Sequence, residues 1–449
     1  MRSFQILIFT LLFFASCTGK KTFKISDKFM DSLSFDTFSF FWELSDSVSG
    51  NIPDRWPSKS FSSIAATGFG LTSYLVGVER GYISRTQASE RVLKTLRFLS
   101  LLKQDSVAQN VGGYKGFFYH FLDMRTGARY QLVELSTIDT GLLMMGILSC
   151  QTYFDQDNPI EKEIYALSDS LYRKVDWNWA MNNDSTMSMG WSPENKFITA
   201  RWKGYNEAML LYVLALGSPT HSVSPTAWTW WTKTYRWGKF QGQEHINFGP
   251  LFGHQYSHVW IDFKGIKDDY MTKKGIDYFE NSRRATLANR QYCIQNPSEF
   301  IGYSDKCWGL TACDGPGNSG KADFNCDFRE YSARGAARWQ VVDDGTIAPT
   351  AVGGSIPFAP EYCIPTLQHF KYSLGDKIYG KYGFKDAFNL TITYENGESG
   401  WFDTDYLGID QGPILLQLEN LRSGFVWKLM KKNKYIQEGL SKAGFKKDI

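Results

Sequence analysis

The chain has 449 residues and a formal net charge of +3, with no basic run long enough to suggest binding to nucleic acid. Apolar residues form 43% of the sequence, which is enough for a large buried core. Aromatic residues reach 16%, including 15 tryptophans. Large helical cores also use tryptophan, but flat amphipathic rings in a charge-balanced chain favour a sugar-binding protein.

The N-terminus has the pattern of a targeting segment. Arg2 precedes an apolar run over residues 4–14, which is too short to span a bilayer in the mature protein. The small residues before Cys17 are similar to a bacterial lipoprotein signal, which predicts cleavage after Ser16, lipid on Cys17 and a polar linker over residues 18–28. An ordinary signal peptide with an incidental cysteine is the alternative. No acidic run follows Cys17, so we expect an outer-membrane lipoprotein that faces the periplasm.

From residue 29 onward, most segments have the apolar periodicity of helices. Residues 112–131 instead predict a hairpin with a turn at residues 125–127, and residues 176–198 predict a loop or a small sheet. Residues 300–348 are loop-rich, and residues 381–403 are irregular. The predicted helices cover residues 29–47, 64–78, 84–102, 134–154, 159–175, 201–216, 225–237, 268–296, 357–374, 411–430 and 433–443.

The predicted helices alternate between two kinds. Residues 208–216 and 142–150 are apolar on every face, which is typical of helices buried on all sides, whereas residues 159–175 are amphipathic. Consecutive helices joined by short loops run antiparallel, so every second helix would point the same way and the inner N-termini would meet at one end. This pattern predicts an all-α fold, an (α/α)6 toroid, in one domain over residues 29–449, with a small β-hairpin and loop insertions.

Acidic residues precede several of the apolar helices. Glu207 lies among aromatic residues, and because burial of an unpaired carboxyl is costly, it needs a partner or a role. Asp139 has a similar position in ELSTIDTG, although Ser136-x-x-Asp139 also fits a simple helix cap. Two carboxyls across a cavity can divide into a general acid and a general base, as glycoside hydrolysis requires. We therefore predict Asp139, Glu207 and the nearby Glu134 as catalytic candidates.

Other residues at comparable helix entrances are predicted to bind the substrate. His254 and His258 are four residues apart, but the glutamate of a zinc-protease motif is absent between them. The cysteines have no C-x-x-C spacing and no paired histidine, so we expect no metal and no cofactor. One disulfide among Cys307, Cys313 and Cys326 would fit an oxidising compartment. The predicted substrate-binding residues are Asp54, Trp56, Trp202, Tyr205, His254, Glu361, Asp403 and Asp410.

Six separated blocks resemble the bacterial glucoamylase-like domain, which is shared with glycoside hydrolase family 144. They cover about residues 201–430, and ELSTIDTG resembles the helix pair that precedes them in the family. The blocks are RWKGYNEAMLLYVLALGSP, GPLFGHQYSHVWIDF, NSRRATLANRQYCI, WGLTACDGP, DGTIAPTAVGGSIPFAPE and WFDTDYLGIDQGPILLQLENLRSGFVWKLM.

The resemblance implies an (α/α)6 barrel and an inverting hydrolase that acts on β-1,2-glucan or its oligosaccharides, built of sophorose units. By position, Asp139 and Glu207 match acids that face the family's substrate pocket, with Glu134 nearby. The expected partner is an oligo- or polysaccharide substrate; we expect a monomer that contacts the membrane only through its lipid. Two alternatives stay open: a polysaccharide lyase that uses His254 or Tyr256 as its base, and a non-catalytic, lipid-anchored glycan-binding protein.

Overall fold

The computed structural model describes residues 27–319, 327–394 and 397–447. The predicted signal, the lipidation site Cys17, most of the predicted linker and Cys326 lie outside these residues. The described chain is mostly helical, and none of its helices has both the length and the apolar character needed to cross a membrane. Its helices are α1 Asp27–Leu44, α2 Ile64–Glu79, α3 Arg85–Leu101, α4 Thr137–Tyr153, α5 Pro159–Lys174, α6 Trp177–Ala180, α7 Met209–Gly217, α8 Thr226–Thr232, α9 Tyr256–Trp260, α10 Asp269–Lys274, α11 Tyr278–Gln295, α12 Pro349–Gly353, α13 Pro360–His369, α14 Gly408–Ser423, α15 Phe425–Met430 and α16 Lys434–Lys442.

The strands are short and antiparallel, and they form separate two- and three-stranded sheets between the helices. The three-stranded sheets are Leu135–Ser136 with Gly190–Ser192 and Lys196–Phe197, and Thr346–Ile347 with Phe388–Thr393 and Ser399–Phe402. The two-stranded pairs are Arg55–Trp56 with Tyr406–Leu407, Ser62–Ser63 with Phe121–Leu122, Gly113–Tyr114 with Phe117–Phe118, Trp237–Phe240 with Gln243–Ile246, Ile266–Lys267 with Lys446–Lys447, Ala312–Cys313 with Ser332–Ala333, Gly335–Ala337 with Gln340–Val342, and Tyr379–Gly380 with Gly383–Phe384.

The interior is built largely by α2, α4, α7 and α14, which are buried on nearly every face. α2 and α4 cross in direct backbone contact, because a Cβ on Gly146 would lie only 2.1 Å from the carbonyl oxygen of Gly68. α7 and α16 meet in the same way through Gly217 and Gly439. Such contact leaves little freedom for the helices to shift, so the helix starts that carry the predicted acids are held in fixed positions.

Amphipathic helices cover this interior. Ser84 caps α3 in a capping box with Gln87, as the sequence predicts. The guanidinium of Arg85 on α3 donates to Glu161 on α5 over 2.8 Å, which joins two neighbouring outer helices. The predicted combination of buried and amphipathic helices is therefore present in this part of the chain.

The predicted helices over residues 29–47, 64–78, 84–102, 134–154, 159–175 and 433–443 agree with the structure to within a few residues at each end.

The predicted helix over residues 201–216 is wrong in its first half. Gly204 has a left-handed φ of 74°, and the side chain of Asn206 accepts a hydrogen bond from the Ala208 N–H over 3.1 Å. Both features turn the chain before α7 begins at Met209. The polar part of this segment is therefore a loop that leads into the helix.

Three further predictions need correction. Residues 268–296 form two helices, because Gly275 with a φ of 73° ends α10. The predicted hairpin over residues 112–131 is divided: its first part pairs with itself, and Leu122 pairs with Arg129 across the predicted turn at residues 125–127, but Phe121–Leu122 also pairs with the strand before α2. Residues 381–403, predicted to be irregular, contain three paired strands, Gly383–Phe384, Phe388–Thr393 and Ser399–Phe402.

The described cysteines are free and buried. Cys307 and Cys313 therefore do not pair with each other, and Cys326, the third cysteine of the predicted disulfide region, lies outside the described residues. Burial raises the pKa of the Cys307 thiol to about 12, which keeps it protonated and unreactive at neutral pH.

Candidate active site

A cavity of about 200 Å³ lies where α4, α7, α9 and α14 begin. Three carboxyls line it, those of Asp139, Glu207 and Asp410, together with the rings of Tyr256 and Tyr331. Helix N-termini carry partial positive charge, which favours acidic groups beside them. The other lining residues are His120, Ile138, Leu142, Phe252, Ala312, Cys313, Leu407 and Ile409.

Asp139 is positioned by the N-cap of α4. The Ser136 hydroxyl oxygen accepts a hydrogen bond from the Asp139 N–H over 3.2 Å, which is the ordinary capping bond. The Asp139 carboxylate accepts a short hydrogen bond from the same hydroxyl. The predicted cap is therefore present, but the carboxyl is also part of the cavity wall.

Glu207 is held by the loop before α7. Its carbonyl oxygen accepts a hydrogen bond from the Ser257 hydroxyl over 2.8 Å, and that hydroxyl oxygen in turn accepts from the Leu210 N–H over 2.9 Å. The side chain is buried, and its Oε2 has no hydrogen-bond partner among the described residues. Burial, with a further contribution from the charge of Asp139, raises the pKa of Glu207 to about 8. The carboxyl is therefore protonated at neutral pH.

His120 provides a positive charge next to the Asp139 carboxylate. Its Nδ1 donates to the Glu134 carboxylate over 2.9 Å, and its Nε2 lies 3.6 Å from Asp139 Oδ2. Burial alone would lower the pKa of His120, but Asp139 and Glu134 raise it to about 9. Burial likewise opposes ionisation of Glu134, but the hydrogen bond and charge of His120 lower its pKa. The imidazolium therefore joins the two predicted acids into one charged group.

Asp410 lies in the first turn of α14 and is coupled to Asp386. Burial raises the pKa of Asp410 to about 7, although the interaction with the Asp386 carboxyl acts in the opposite direction. Burial and the charge of Asp410 raise the pKa of Asp386 well above its ordinary value. Asp386 therefore keeps a proton at neutral pH, which removes its charge repulsion with Asp410.

Further acids surround Arg55 and do not themselves line the cavity. The Arg55 guanidinium donates to Asp54 over 3.1 Å and to Asp314 over 2.6 Å. One oxygen each from Asp314, Asp386 and Asp403 lies within 4.8 Å of the others, a spacing that could hold a cation. Burial raises the pKa of Asp403 to about 6, so bound protons and Arg55 also compensate the negative charge here. The expectation of no metal stays a prediction.

The structure places Trp202, Tyr205 and His254 outside the acidic cavity, whereas Tyr205 lines a second cavity, so contact between these residues and substrate stays a prediction. The buried Trp202 indole donates to the Thr137 hydroxyl over 2.9 Å. The rings of Tyr205 and His254 lie 4.9 Å apart in the core. Burial lowers the pKa of His254 to about 3, and its Nε2 faces the carbonyl oxygen of Phe248. These aromatic residues form the packing beneath the site.

The remaining predicted residues lie at different distances from the cavity. Glu361 is outside it, in the first turn of α13, where it pairs with Arg283 over 2.6 Å. Asp54 and Asp403 belong to the charged group around Arg55 and do not line the cavity. Trp56 is 39% exposed on the same short strand as Arg55 and does not line the cavity.

Several residues of the site were not singled out from the sequence. His120 lies in an aromatic segment that was predicted to be a hairpin, and Tyr331, Asp314 and Asp386 come from loops next to short strands. Arg55 was visible only as the neighbour of Asp54. One arginine next to one aspartate is a weak sign of a functional site in a sequence, because the other acids that surround Arg55 are distant along the chain.

Comparisons with known proteins agree with this arrangement. Residues 199–434, more than half of the chain, match the family model "Glycoamylase: Putative glucoamylase". A Bacteroides uniformis ATCC 8492 protein with the same glucoamylase description is 35% identical, with a TM-score of 0.81 over 94% of this chain and 98% of that one. An endo-β-1,2-glucanase from Chitinophaga pinensis, solved with sophorotriose and glucose, is 32% identical, with a TM-score of 0.81 over 94% of this chain and 98% of that one.

A curated relative is similar over part of its own length. The exo β-1,2-glucooligosaccharide sophorohydrolase (non-reducing end) of Parabacteroides distasonis is 29% identical over 94% of this chain. The chain spans 58% of the length of that enzyme. The family match and the similarity along almost the whole chain show that this protein belongs to the glycoamylase family.

Proposed function

We propose that this protein is an inverting glycoside hydrolase that cleaves β-1,2-linked glucooligosaccharides. The observation that carries the proposal is the cavity in which the carboxyls of Asp139, Glu207 and Asp410 meet from three separate helix starts. Two similar proteins, the Chitinophaga endo-β-1,2-glucanase and the Parabacteroides sophorohydrolase, are named for this linkage. One name describes endo action and the other the release of sophorose, so product analysis must distinguish the two for this chain.

Glu207 is proposed as the general acid. Its pKa of about 8 keeps a proton on the carboxyl at neutral pH, and that proton passes to the leaving glycosidic oxygen as the bond to the anomeric carbon breaks. Asp139, beside the His120 imidazolium, is proposed as the general base that takes a proton from the attacking water. Glu134 is a positioning residue, because it acts on Asp139 only through His120.

Asp410 is the second carboxyl that could serve as base, since its pKa of about 7 leaves part of the population ionised at neutral pH. Rescue by azide distinguishes the two acids. A small anionic nucleophile can replace the activated water when the base is missing, so we expect azide to restore cleavage in Asp139→Ala but not in Asp410→Ala. Rescue of Asp410→Ala alone would reverse the assignment.

We also infer that the helices form an (α/α)6 toroid. Six helices, α2, α4, α7, α9, α12 and α14, consist almost entirely of buried residues. Four of them begin at the cavity, which is the arrangement expected when inner helices are parallel to one another. A crystal structure in which six inner helices alternate with six outer ones would confirm this inference.

The hydrolase proposal is tested with a panel of glucans. We expect cleavage of β-1,2-glucooligosaccharides, first products of inverted anomeric configuration by NMR, and little activity on β-1,3-, β-1,4- or α-linked glucans. Glu207→Gln should lower kcat by about 10² to 10⁴. Glu361→Gln is the matched control, because it removes a carboxyl from a helix start outside the cavity. Full activity of Glu207→Gln would remove Glu207 from the mechanism.

The same assays distinguish the two alternative functions. A polysaccharide lyase would leave an unsaturated sugar that absorbs in the ultraviolet, whereas hydrolysis would not. His254 is a poor lyase base because it is buried away from the cavity. A non-catalytic glycan-binding protein would bind the oligosaccharides and return them intact after prolonged incubation.

We further propose that the protein is a lipoprotein of the outer membrane that faces the periplasm. The support is the sequence before Cys17, where small residues follow a short apolar run. Mass spectrometry of the mature N-terminus should find a lipidated Cys17, and Cys17→Ser should release the protein from the membrane fraction. A mature chain that begins elsewhere would contradict the proposal.

A further inference from the structure

We propose that a second, larger cavity beside the candidate active site is a distal subsite that binds a glucan chain through stacking on Trp339. This inference rests on the proposed function, because it names where the rest of a long substrate lies while the acidic cavity holds the cleaved bond. The cavity has a volume of about 560 Å³, and no carboxylate side chain of the described residues lines it. Its chemistry therefore differs from that of the acidic cavity.

Trp339 stands in the turn of the hairpin formed by Gly335–Ala337 and Gln340–Val342, and 49% of the residue is exposed. A large apolar ring at a hairpin turn contributes little to a core. An exposed, amphipathic ring is, however, what a pyranose needs for stacking. The guanidinium carbons of Arg236 and Arg338 lie over the Trp339 ring, 6.0 and 5.2 Å from its centroid. These contacts restrict the movement of the ring.

The hairpin turn is held in place by a buried amide. The Asn247 side-chain oxygen accepts from the Arg338 N–H over 3.0 Å, and its amide donates to the carbonyl oxygens of Gly238 and His245. A Cβ on Gly238 would lie 2.9 Å from the indole, so the tryptophan rests directly on the neighbouring strand. Asn247 is buried and satisfied within this network. Trp339 is therefore a pre-positioned platform rather than a loose surface side chain.

Hydrogen-bond donors stand around the platform. Lys203 and Arg236 line the cavity, and neither side chain has an ion-pair or hydrogen-bond partner in the described part of the chain. Sugar hydroxyls accept hydrogen bonds from such groups, and the absence of lining carboxylates leaves the donors available. An exposed aromatic ring with hydrogen-bond donors near it is the usual composition of a carbohydrate subsite.

The two cavities are neighbours, so one substrate chain could extend from the acidic cavity into the larger one. Phe248 lines the larger cavity and Phe252 the acidic one, and their ring centroids are 5.7 Å apart. In a second contact between the cavities, Ala333 of the larger cavity pairs with Ala312 of the acidic cavity in one short sheet. A glucan chain that leaves the acidic cavity on this side enters the cavity that Trp339 lines.

The test compares short and long substrates in matched tryptophan variants. For Trp339→Ala we expect KM for long β-1,2-glucan to rise about 3- to 10-fold, the loss of one aromatic stacking contact, with kcat unchanged. The kinetics of the shortest cleaved oligosaccharide should not change, because it does not reach the platform. Trp339→Tyr keeps an aromatic ring and should recover most of the affinity. Trp230→Ala is the control, since Trp230 is equally 49% exposed on α8 and lines neither cavity.

Each outcome decides the proposal. An equal KM for wild type and Trp339→Ala at every chain length, in variants with unchanged melting temperatures, would refute the subsite. A rise in KM for short and long substrates alike would point to a structural effect on the acidic cavity and would also refute it. If no glucan is cleaved, the proposed function fails, but calorimetric titration of wild type and Trp339→Ala with long β-1,2-glucan still tests whether Trp339 binds the chain.

Discussion

Replacement of Glu207 by glutamine should increase the stability of the protein at alkaline pH while it removes activity. The Glu207 carboxyl is buried, its Oε2 has no partner among the described residues, and its pKa is raised from 4.5 to about 8. The folded protein therefore holds a proton on this group in a pH range where the unfolded chain does not. Glutamine has nearly the same shape and does not titrate, so it removes this pH dependence.

The sign and size of the effect follow from the linkage of protonation to folding. Below pH 4.5 the carboxyl is protonated in both states and burial has no titration cost. Between pH 4.5 and 8 only the folded state binds the proton, so the free energy of unfolding of the wild type falls by about 1.4 kcal/mol for each pH unit. The total is on the order of 5 kcal/mol, reached as the pH rises through the folded pKa.

The assay is urea unfolding of wild type and Glu207→Gln at pH 5, 6, 7 and 8. We expect the difference in the free energy of unfolding between variant and wild type to grow in favour of the variant by about 1 kcal/mol per pH unit. Glu361→Gln should show no such trend, because Glu361 is ion-paired near the surface. Parallel pH curves for wild type and Glu207→Gln would refute the raised pKa and the assignment of Glu207 as the general acid.

Three other substitutions test the surroundings of the site. His120→Gln should destabilise the protein most below pH 6.5 and progressively less as the pH rises through 9, because His120 has a raised pKa; a pH-independent loss by thermal melting would contradict this. Gly146→Ala should cost at least about 1–3 kcal/mol in urea unfolding, because its Cβ would lie 2.1 Å from the Gly68 carbonyl oxygen; unchanged stability would mean that α2 and α4 can separate. Arg334→Met should cost about 3–5 kcal/mol, because it leaves the buried Asp344 carboxylate unpaired; the double variant with Asp344→Asn should recover part of that loss.

The buried helices could be predicted because their sequences carry a strong local signal. α2 and α4 are apolar on every face, and the capping residue Ser136 marks the start of α4. The position of Asp139 follows from that helix start alone. The first half of residues 201–216 could not be predicted as a turn, because a single glycine and an asparagine compete there with a long apolar pattern. Glu207 was therefore identified for its burial, not for its local conformation.

The residues of the site that come from loops depend on contacts that no local pattern contains. Asp314 and Asp386 are joined by a hydrogen bond of 2.7 Å from the Asp314 N–H, although they are far apart in sequence. Conversely, His254 has the sequence surroundings of a site residue and proves to be buried packing. An apolar frame around a histidine indicates burial, and only tertiary structure decides whether the buried ring faces a cavity or a neighbouring carbonyl.

The balance of charge at the site links its chemistry to pH. Two cations, Arg55 and His120, face a larger number of carboxyls, and the pKa values of Glu207, Asp386 and Asp410 are raised by burial and by the charges of neighbouring carboxyls. The folded protein can bury so many carboxyls at neutral pH only if some of these carboxyls keep their protons. The proposed division of roles therefore follows from the packing, because Glu207 is buried without a cation and Asp139 lies beside the His120 imidazolium. For the same reason the proposed hydrolase activity should fall as the pH rises through about 8, where Glu207 gives up the proton that the leaving oxygen needs.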